Sequence, residues 1–148
     1  MATFRECFAK KLSANDVGET KSHQAGIVIP KSIIKLGYFP KLESGLNPRE
    51  TINFLDFSDG SFIETQFIYY NSRTLGLGTR NEFRLTGIRK ALKKHQMLVN
   101  SVVRFGYDGN TQQFAIEMMP NIDLEDLDNP GDDVLKISGG WKVVGRLQ

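Results

Sequence analysis

The feature that most constrains this fold is a series of short β-rich runs separated by turn residues. Asp108 and Gly109, between the last two runs, predict a hairpin, because Asp-Gly favours the tight turns that join antiparallel strands. Seven runs in 148 residues predict a mainly β (α+β) domain, a small closed or partly closed antiparallel barrel, since closure removes exposed strand edges. The runs are rich in Phe, Ile, Val, Tyr and Thr and cover residues 4–12, 25–29, 51–57, 61–72, 83–86, 97–107 and 113–118.

Two short helices are predicted between these strands. Pro30 can begin the first, because its fixed φ suits a first helical turn, and Gly37 ends it. The second covers about residues 88–95, where basic side chains surround Leu92. That basic cluster is compatible with binding to a phosphate backbone, although a solvated helix face is the more common outcome.

An acidic stretch and then an apolar one follow the last predicted strand. Residues 121–133 contain six acids and no base, and we expect them to form a surface excursion. Residues 134–144, which include Trp141, are apolar enough to return to the core. Without an internal repeat or a long linker, residues 1–148 are expected to form a single domain.

The composition is that of a soluble globular protein, with 40% hydrophobic and 24% charged residues. No apolar run approaches the roughly 20 residues that cross a bilayer, so no membrane partner is expected. The amino terminus has no apolar stretch of signal-peptide type, and the single Cys7 cannot form an internal disulfide. We therefore expect a cytoplasmic location.

The charges are unevenly distributed along the chain. Residues 1–116 contain 16 Lys and Arg against 10 Asp and Glu, whereas residues 117–148 contain 3 against 7. A basic body with an acidic tail is compatible with nucleic-acid binding, and equally with an ordinary solvated surface.

A polar segment of twelve residues, Ser13 to Gln24, lies between two predicted strands. Connections this long in a compact domain are often functional. Its side chains could contact base edges, through Asn15, Asp16, His23 and Gln24, and phosphate oxygens, through Lys11, Ser13, Lys21 and Ser22. The alternative is a loop held by its own Asx and Ser turns, in which Asp16 only caps a turn.

A second polar segment follows the aromatic strand that ends near Tyr70. If residues 80–84 are extended, the period of two places Arg80, Glu82 and Arg84 on one side and Asn81 and Phe83 on the other. Arg can donate two hydrogen bonds to guanine, Glu can accept from the amine of cytosine, and Asn can pair with adenine or bind phosphate. The alternative is an Arg-Glu-Arg ion ladder on a solvent-exposed strand.

Catalytic motifs are weak in this sequence. Glu19 and Lys21 match half of a magnesium-dependent nuclease motif, but Asp16 lies too close in sequence for the usual strand-separated pair. Two His and one Cys do not make a standard zinc site without distant acids, and no Ser-His-Asp, HEXXH or P-loop pattern is present. We predict no active site, metal or cofactor. A nuclease using Asp16, Glu19 and Lys21 remains one alternative, and a protein-binding barrel another.

Two groups of motifs lie within residues 10–30 and 66–86. The first group is Lys11-Leu12-Ser13-Ala14-Asn15-Asp16, then Gly18, then His23-Gln24-x-Gly26-x-x-Ile29-Pro30. The second is Ile68-Tyr69-Tyr70-Asn71-Ser72-Arg73, followed by Thr79-Arg80-Asn81-Glu82-x-Arg84. Over these residues the sequence resembles the N-terminal effector-binding domain of EcoRII-like restriction endonucleases.

The resemblance implies a DNA-binding pseudobarrel of the plant B-three transcription-factor type, similar also to the DNA-binding domain of BfiI. Such domains hold the major-groove side of duplex DNA between an N-arm, here residues 13–24, and a C-arm, here residues 73–84. Four residues match the family's effector-binding cleft: His23, Arg80, Glu82 and Arg84. Further phosphate contacts are expected at Lys31, Tyr70, Arg73 and Thr79. The sequence departs from the family pattern at Val28, Gly78 and Phe83.

The resemblance also implies a wider context. EcoRII-like enzymes carry their nuclease in a separate domain, so we expect this chain to be an N-terminal fragment of a bacterial type II restriction endonuclease. Its partners would be double-stranded DNA, bound by a monomeric domain, and the nuclease domain of the same parent chain. Because Arg80-Asn81-Glu82 is intact, a target similar to CC(A/T)GG is expected.

Overall fold

The structure, a computed structural model, describes residues 6–19, 26–127 and 140–144. Within these ranges the chain forms eight strands, two short α-helices and a 3₁₀ helix at Leu124–Asp126. The strands are β1 Glu6–Lys11, β2 Ile27–Ile29, β3 Arg49–Asp56, β4 Phe62–Tyr70, β5 Glu82–Thr86, β6 Val102–Asp108, β7 Gln113–Met119 and β8 Trp141–Val144. The helices are α1 Lys31–Ile34 and α2 Arg89–Lys94.

These elements confirm the predicted mainly β class with two short helices. The predicted number of seven strands is wrong by one. The additional strand, β8, comes from the apolar stretch around Trp141, which pairs with β1 between Cys7↔Val144 and Lys10↔Trp141. Trp141 is buried in the core, as its return was predicted.

All eight strands belong to one curled, half-barrel sheet in the order β2-β5-β4-β3-β7-β6-β1-β8. Neighbouring strands are antiparallel except β3 and β7, which are parallel. β6 and β7 form the predicted hairpin, and its turn is held by the Asp108 carboxylate, which accepts a hydrogen bond of 3.0 Å from the Asn110 backbone N–H.

A core of aliphatic and aromatic side chains fills the inner face of the sheet. The alternation of buried and more exposed side chains along β3, with Ile52 and Phe54 buried, aims one face inward. Ring contacts join Trp141 to Phe105 at 5.6 Å between centroids and Phe105 to Phe54 at 5.7 Å. Ile33 of α1 and Leu92 of α2 are fully buried in the same core, so both helices pack against it through apolar contacts.

The pairing of β2 with β5 brings the two predicted arms to the same part of the sheet. The chain enters β2 at Gly26, beside Leu85, and it enters β5 at Glu82, beyond the Ile29↔Phe83 pair. The arms therefore join opposite ends of a short ladder whose central pair is Val28↔Arg84. No helix among the described residues has the length and apolarity needed to cross a membrane.

Candidate nucleic-acid interface

One face of β2, β5 and β4 turns away from the aromatic core and carries the polar side chains of the C-arm. Directly paired residues of neighbouring strands share a face. Val28 pairs with Arg84, Arg84 with Ile68, and Glu82 with Tyr70. We call this surface, defined by Val28, Arg84, Glu82, Tyr70 and Arg80, the ladder face.

Arg80, Glu82 and Arg84 form an ion ladder on this face. Glu82 Oε1 accepts hydrogen bonds from Arg80 Nη2 at 2.8 Å and from Arg84 Nε at 2.9 Å. Arg84 is buried, and its Nη1 also lies 3.4 Å from the carbonyl oxygen of Gly26. Arg80 is more exposed and lies over the Tyr70 ring, with Cζ 3.6 Å from the ring centroid.

The carboxylate of Glu82 is ionised, and among the described residues only one of its two oxygens has a hydrogen-bond partner. Burial acts to raise its pKa, but the hydrogen bonds and charges of Arg84 and Arg80 outweigh burial and lower that pKa below its ordinary value. Both arginines bind the same oxygen, Oε1. Oε2 is not engaged by the residues that the structure describes, and it is not a buried atom. An acceptor is thus held in place and left open.

Asn81 and Phe83 lie on the opposite, inner face, as the alternation predicts. The Tyr69 hydroxyl donates a hydrogen bond of 2.7 Å to Asn81 Oδ1, and the Phe83 ring stacks on Tyr69 at 4.3 Å between centroids. Asn81 was predicted to contact bases together with Arg80 and Glu82. In this arrangement it faces away from them and fixes the C-arm to β4.

The C-arm begins with a tightly bonded turn. Asn71 is buried, and its side chain accepts from the Asn47 N–H at 2.9 Å and donates to the Gly45 carbonyl at 2.7 Å. The Arg73 N–H donates to the Arg80 carbonyl at 2.9 Å, closing the loop. These hydrogen bonds fix the two ends of the loop, whereas the Arg73 and Thr79 side chains remain exposed.

The described part of the N-arm, residues 13–19, is a compact turn rather than an open loop. Asp16 is buried and forms an ion pair with Lys10, and its carboxylate also accepts the Ser13 N–H at 2.9 Å. The predicted base contact by Asp16 is corrected accordingly: its carboxylate caps a turn and neutralises a buried ammonium. The same closure keeps Asp16 from binding a metal with Glu19, which is exposed.

A contact from α2 fixes the N-arm to the rest of the domain. Arg89 Nη2 donates a hydrogen bond of 3.0 Å to the backbone carbonyl of Asn15. Gly18 lies against the same side chain at a φ of +82°, and a Cβ there would come within 3.3 Å of Arg89 Nε. Sequence reasoning assigned Arg89 only to a basic helix cluster, because a contact across 74 positions gives no local signal.

The remaining predicted N-arm residues, Lys21, Ser22, His23 and Gln24, lie outside the described residues. Gly26, directly before β2, has a φ of +86°, and a Cβ at this position would lie 2.3 Å from the Leu85 carbonyl oxygen. Only glycine allows so close an approach of the two backbones. This glycine fixes the position at which the chain passes from the N-arm into β2, beside β5.

Most of the side chains predicted to contact phosphate lie on the surface of the domain. Lys11, Ser13, Lys31, Arg73 and Thr79 are exposed, whereas Tyr70 is half-buried beneath Arg80. Next to Val28 is a cavity of about 430 Å³, whose lining includes Ser13, Asn15 and Pro30. A larger cavity of about 670 Å³ lies on the inner side of the sheet, lined by Phe39, Phe67, Tyr69 and Phe83 among others.

One group of possible metal ligands occurs in the described residues: Asp56, Asp59 and His95, whose ligand atoms lie within 4.8 Å of one another. Each already has a protein partner. His95 Nε2 is 2.6 Å from Asp56 Oδ2, and Lys94 Nζ is 2.5 Å from Asp59 Oδ2. The Lys94 hydrogen bond lowers the pKa of Asp59 well below its ordinary value. The group therefore fastens α2 to the β3–β4 turn. The sequence did not indicate it, because folding alone brings these segments together.

Comparison with known proteins decides the family. The family model "Restriction endonuclease EcoRII, N-terminal" matches residues 3–115, well over half of the chain. This chain belongs to the EcoRII N-terminal family. Its relative in Escherichia coli, the type II restriction enzyme EcoRII, is 42% identical over 82 residues, which cover 53% of this chain and 20% of that enzyme. The chain thus matches about a fifth of the length of its curated relative.

Solved structures give the fold of this EcoRII N-terminal domain. The Arabidopsis FUS3–DNA complex superposes with a TM-score of 0.58 at 15% identity, covering 75% of this chain and 93% of that one. The B3 domain of the UbaLAI restriction endonuclease with cognate DNA superposes with a TM-score of 0.59 at 15% identity, covering 99% and 90%. The predicted family and pseudobarrel class are confirmed. The family is that of a DNA-binding effector domain rather than a catalytic domain, also as predicted.

Proposed function

We propose that this domain recognises a specific sequence in double-stranded DNA from the major groove, with the C-arm contacting bases and the N-arm lying on the other side of the ladder face. The observation that carries the proposal is the ion ladder. Arg80 and Arg84 together hold Glu82 by one oxygen and leave the other open.

The open groups of the ladder match the edges of a G·C pair. Glu82 Oε2 can accept from the exocyclic amine of cytosine, and Arg80 can donate to guanine through Nη1, since its Nη2 binds Glu82 and its Nε is buried. Arg84 is buried and already bonded, so we assign it a positioning role rather than the predicted base contact. Both base-contacting groups are then fixed before DNA arrives, which lowers the entropy lost on binding.

A carboxylate on this face gives discrimination as well as attraction. Near phosphates an ionised Glu is favourable only opposite a donor such as the cytosine amine, and it repels acceptors at the same position. The lowered pKa of Glu82 keeps it ionised at neutral pH. The repulsive term therefore operates under physiological conditions.

The exposed cations and hydroxyls would fix the position of the DNA on the domain and contribute to the affinity for it. Lys11, Lys31, Arg73 and Thr79 can contact phosphate oxygens, as can Lys21 and Ser22 in the N-arm, while His23, Gln24 and Asn15 add base contacts there. Two solved proteins of this fold are named as complexes with DNA, which supports the same use of the fold here.

The wider role follows from the family. We propose that the parent protein is a type II restriction endonuclease, that a separate nuclease domain supplies catalysis, and that this domain binds DNA as a monomer. The intact Arg80-Asn81-Glu82 motif and the 42% identity to EcoRII support a target similar to CC(A/T)GG.

Competition gel shifts with sites selected from a random duplex pool test the proposal. Arg80→Ala and Glu82→Ala should each cost about 1–3 kcal/mol of discrimination at one base pair. Lys31→Ala is the matched control. It should weaken binding to all sequences alike and reduce the salt dependence by about one unit of slope. Unchanged sequence preference in both ladder variants would show that the C-arm does not read bases.

A further inference from the structure

Val28 is an exposed apolar side chain at the centre of the ladder face. Its strand neighbours Ile27 and Ile29 are buried, whereas Val28 is 38% exposed. It pairs directly with Arg84, which positions Glu82. It also lines the cavity beside Ser13 and Asn15, so it lies between the two arms.

We propose that Val28 contacts the C5-methyl group of a pyrimidine, thymine or 5-methylcytosine, close to the G·C pair read by Arg80 and Glu82. The inference rests on the proposed function and names a further specificity-determining residue for it. Among the base edges of the major groove, the C5-methyl is the apolar group, and every other recognition feature is a hydrogen-bond donor or acceptor. Val28 can satisfy neither a donor nor an acceptor, so a polar base edge against it would lose water without compensation.

The register of the sheet limits where this methyl group lies. Val28 is directly opposite Arg84 and diagonal to Glu82, and diagonal neighbours on one face are about 7–8 Å apart. Base pairs follow one another at about 3.4 Å along the helix axis. The methyl group is therefore expected within about two base-pair steps of the pair that Glu82 contacts. The β-branched side chain is also stiff at χ1, which suits a fixed apolar contact.

The test combines substitutions of Val28 with the removal or addition of single methyl groups in the DNA. After selection of the bound site, each thymine is replaced in turn by uracil, which lacks only the methyl group, and each cytosine by 5-methylcytosine. Competition binding is measured for the wild-type chain, Val28→Ala and Val28→Thr. At one position near the G·C pair, the wild-type chain should lose about three- to fivefold in affinity on methyl removal, or gain as much on methyl addition. Val28→Ala should show no such effect there. Val28→Thr, which keeps one methyl group, should lie between them.

Leu98→Ala is the matched control, because Leu98 is 66% exposed and is not part of the ladder face. It should respond to uracil and 5-methylcytosine as the wild-type chain does. If the wild-type chain prefers a sequence but no methyl effect depends on residue 28, this inference is wrong and the proposed function stands. If the wild-type chain shows no sequence preference, the proposed function fails and this inference with it. Thermal melting followed by circular dichroism confirms that each variant is folded.

Discussion

The two arms each contain a carboxylate paired with cations, and they use it in opposite ways. In the N-arm the Asp16 side chain is 5% exposed, and its carboxylate is enclosed between the Lys10 ammonium and the Ser13 N–H. In the C-arm the Glu82 side chain is 28% exposed, and one of its oxygens stays open beside Arg80 and Arg84. The first pair can only hold a structure together, whereas the second can also accept a ligand.

The difference shows that an acid next to a base in the sequence does not define a binding site. Burial decides whether such a pair can bind a ligand. A fully enclosed ion pair has no free lone pair for the edge of a nucleobase, and removing either partner leaves the other as an uncompensated buried charge. A half-exposed pair costs less to form and keeps part of its hydrogen-bonding capacity. Substitutions in the two arms and a change of pH test this contrast.

Removing the enclosed carboxylate should have the largest effect. We expect Asp16→Ala to lower the free energy of unfolding by about 3–5 kcal/mol, because the buried Lys10 ammonium loses its partner. Urea denaturation followed by fluorescence measures the loss. Asp16→Asn, which can still accept from the Ser13 N–H, separates the charge from the turn cap.

The matched variant in the other arm is Glu82→Gln, which keeps an oxygen for Arg84 and should cost about 1 kcal/mol or less in stability. The combination Lys10→Met with Asp16→Leu should recover most of the stability lost in Asp16→Ala. If Asp16→Ala and Glu82→Gln cost the same, the contrast in burial has no energetic consequence.

The open carboxylate of Glu82 should keep its charge from neutral to mildly acidic pH. Because the pKa of Glu82 is lowered from its ordinary value of 4.5, the ionised form, and with it the proposed preference for a G·C pair, is present above the lowered pKa and is lost as the pH falls through it. We expect the sequence preference in competition binding to be unchanged between about pH 7 and about pH 5.

Glu82→Gln serves as the control, because it should lose about 1–3 kcal/mol of discrimination at both pH values. A wild-type preference that declines between about pH 7 and about pH 5 would point to a group with a higher pKa, and His23 of the N-arm would be the first to replace.

Replacing Tyr70, whose ring lies beneath Arg80, should have the smallest effect. Arg80 Cζ lies 3.6 Å from the centroid of the Tyr70 ring, and such cation–π contacts contribute about 0.5–1 kcal/mol at exposed sites. Tyr70→Leu should therefore weaken specific binding about two- to fivefold, whereas Tyr70→Phe should bind as the wild-type chain does.

The same pair of variants tests the predicted phosphate contact of Tyr70. If its hydroxyl binds phosphate, Tyr70→Phe will reduce affinity for all sequences to a similar degree. A fluorescence anisotropy titration with a selected site and a scrambled duplex distinguishes the two roles.

The strands, and the shared face of Arg80, Glu82 and Arg84, could be predicted from the sequence because both depend on residues that are close together in the chain. Alternation along residues 80–84 depends on the period of two in extended chain, so the inner position of Phe83 and the outer position of Glu82 could be predicted. The eighth strand could not be counted in this way. Residues 141–144 were expected to return to the core, but their pairing with β1 depends on an edge that exists only in the folded sheet.

The two arms therefore differ in what the sequence determined. Residue type and alternation alone placed Arg80, Glu82 and Arg84 on one face and gave that face the chemistry to read G and C. Only the tertiary structure decided that Asp16 is enclosed by Lys10, that Arg89 holds the N-arm backbone, and that Arg84 is buried while Glu82 keeps an open oxygen. The physical reason is that burial and long-range hydrogen bonds depend on segments far apart in the chain, whereas the direction of a side chain in a strand depends on its neighbours alone.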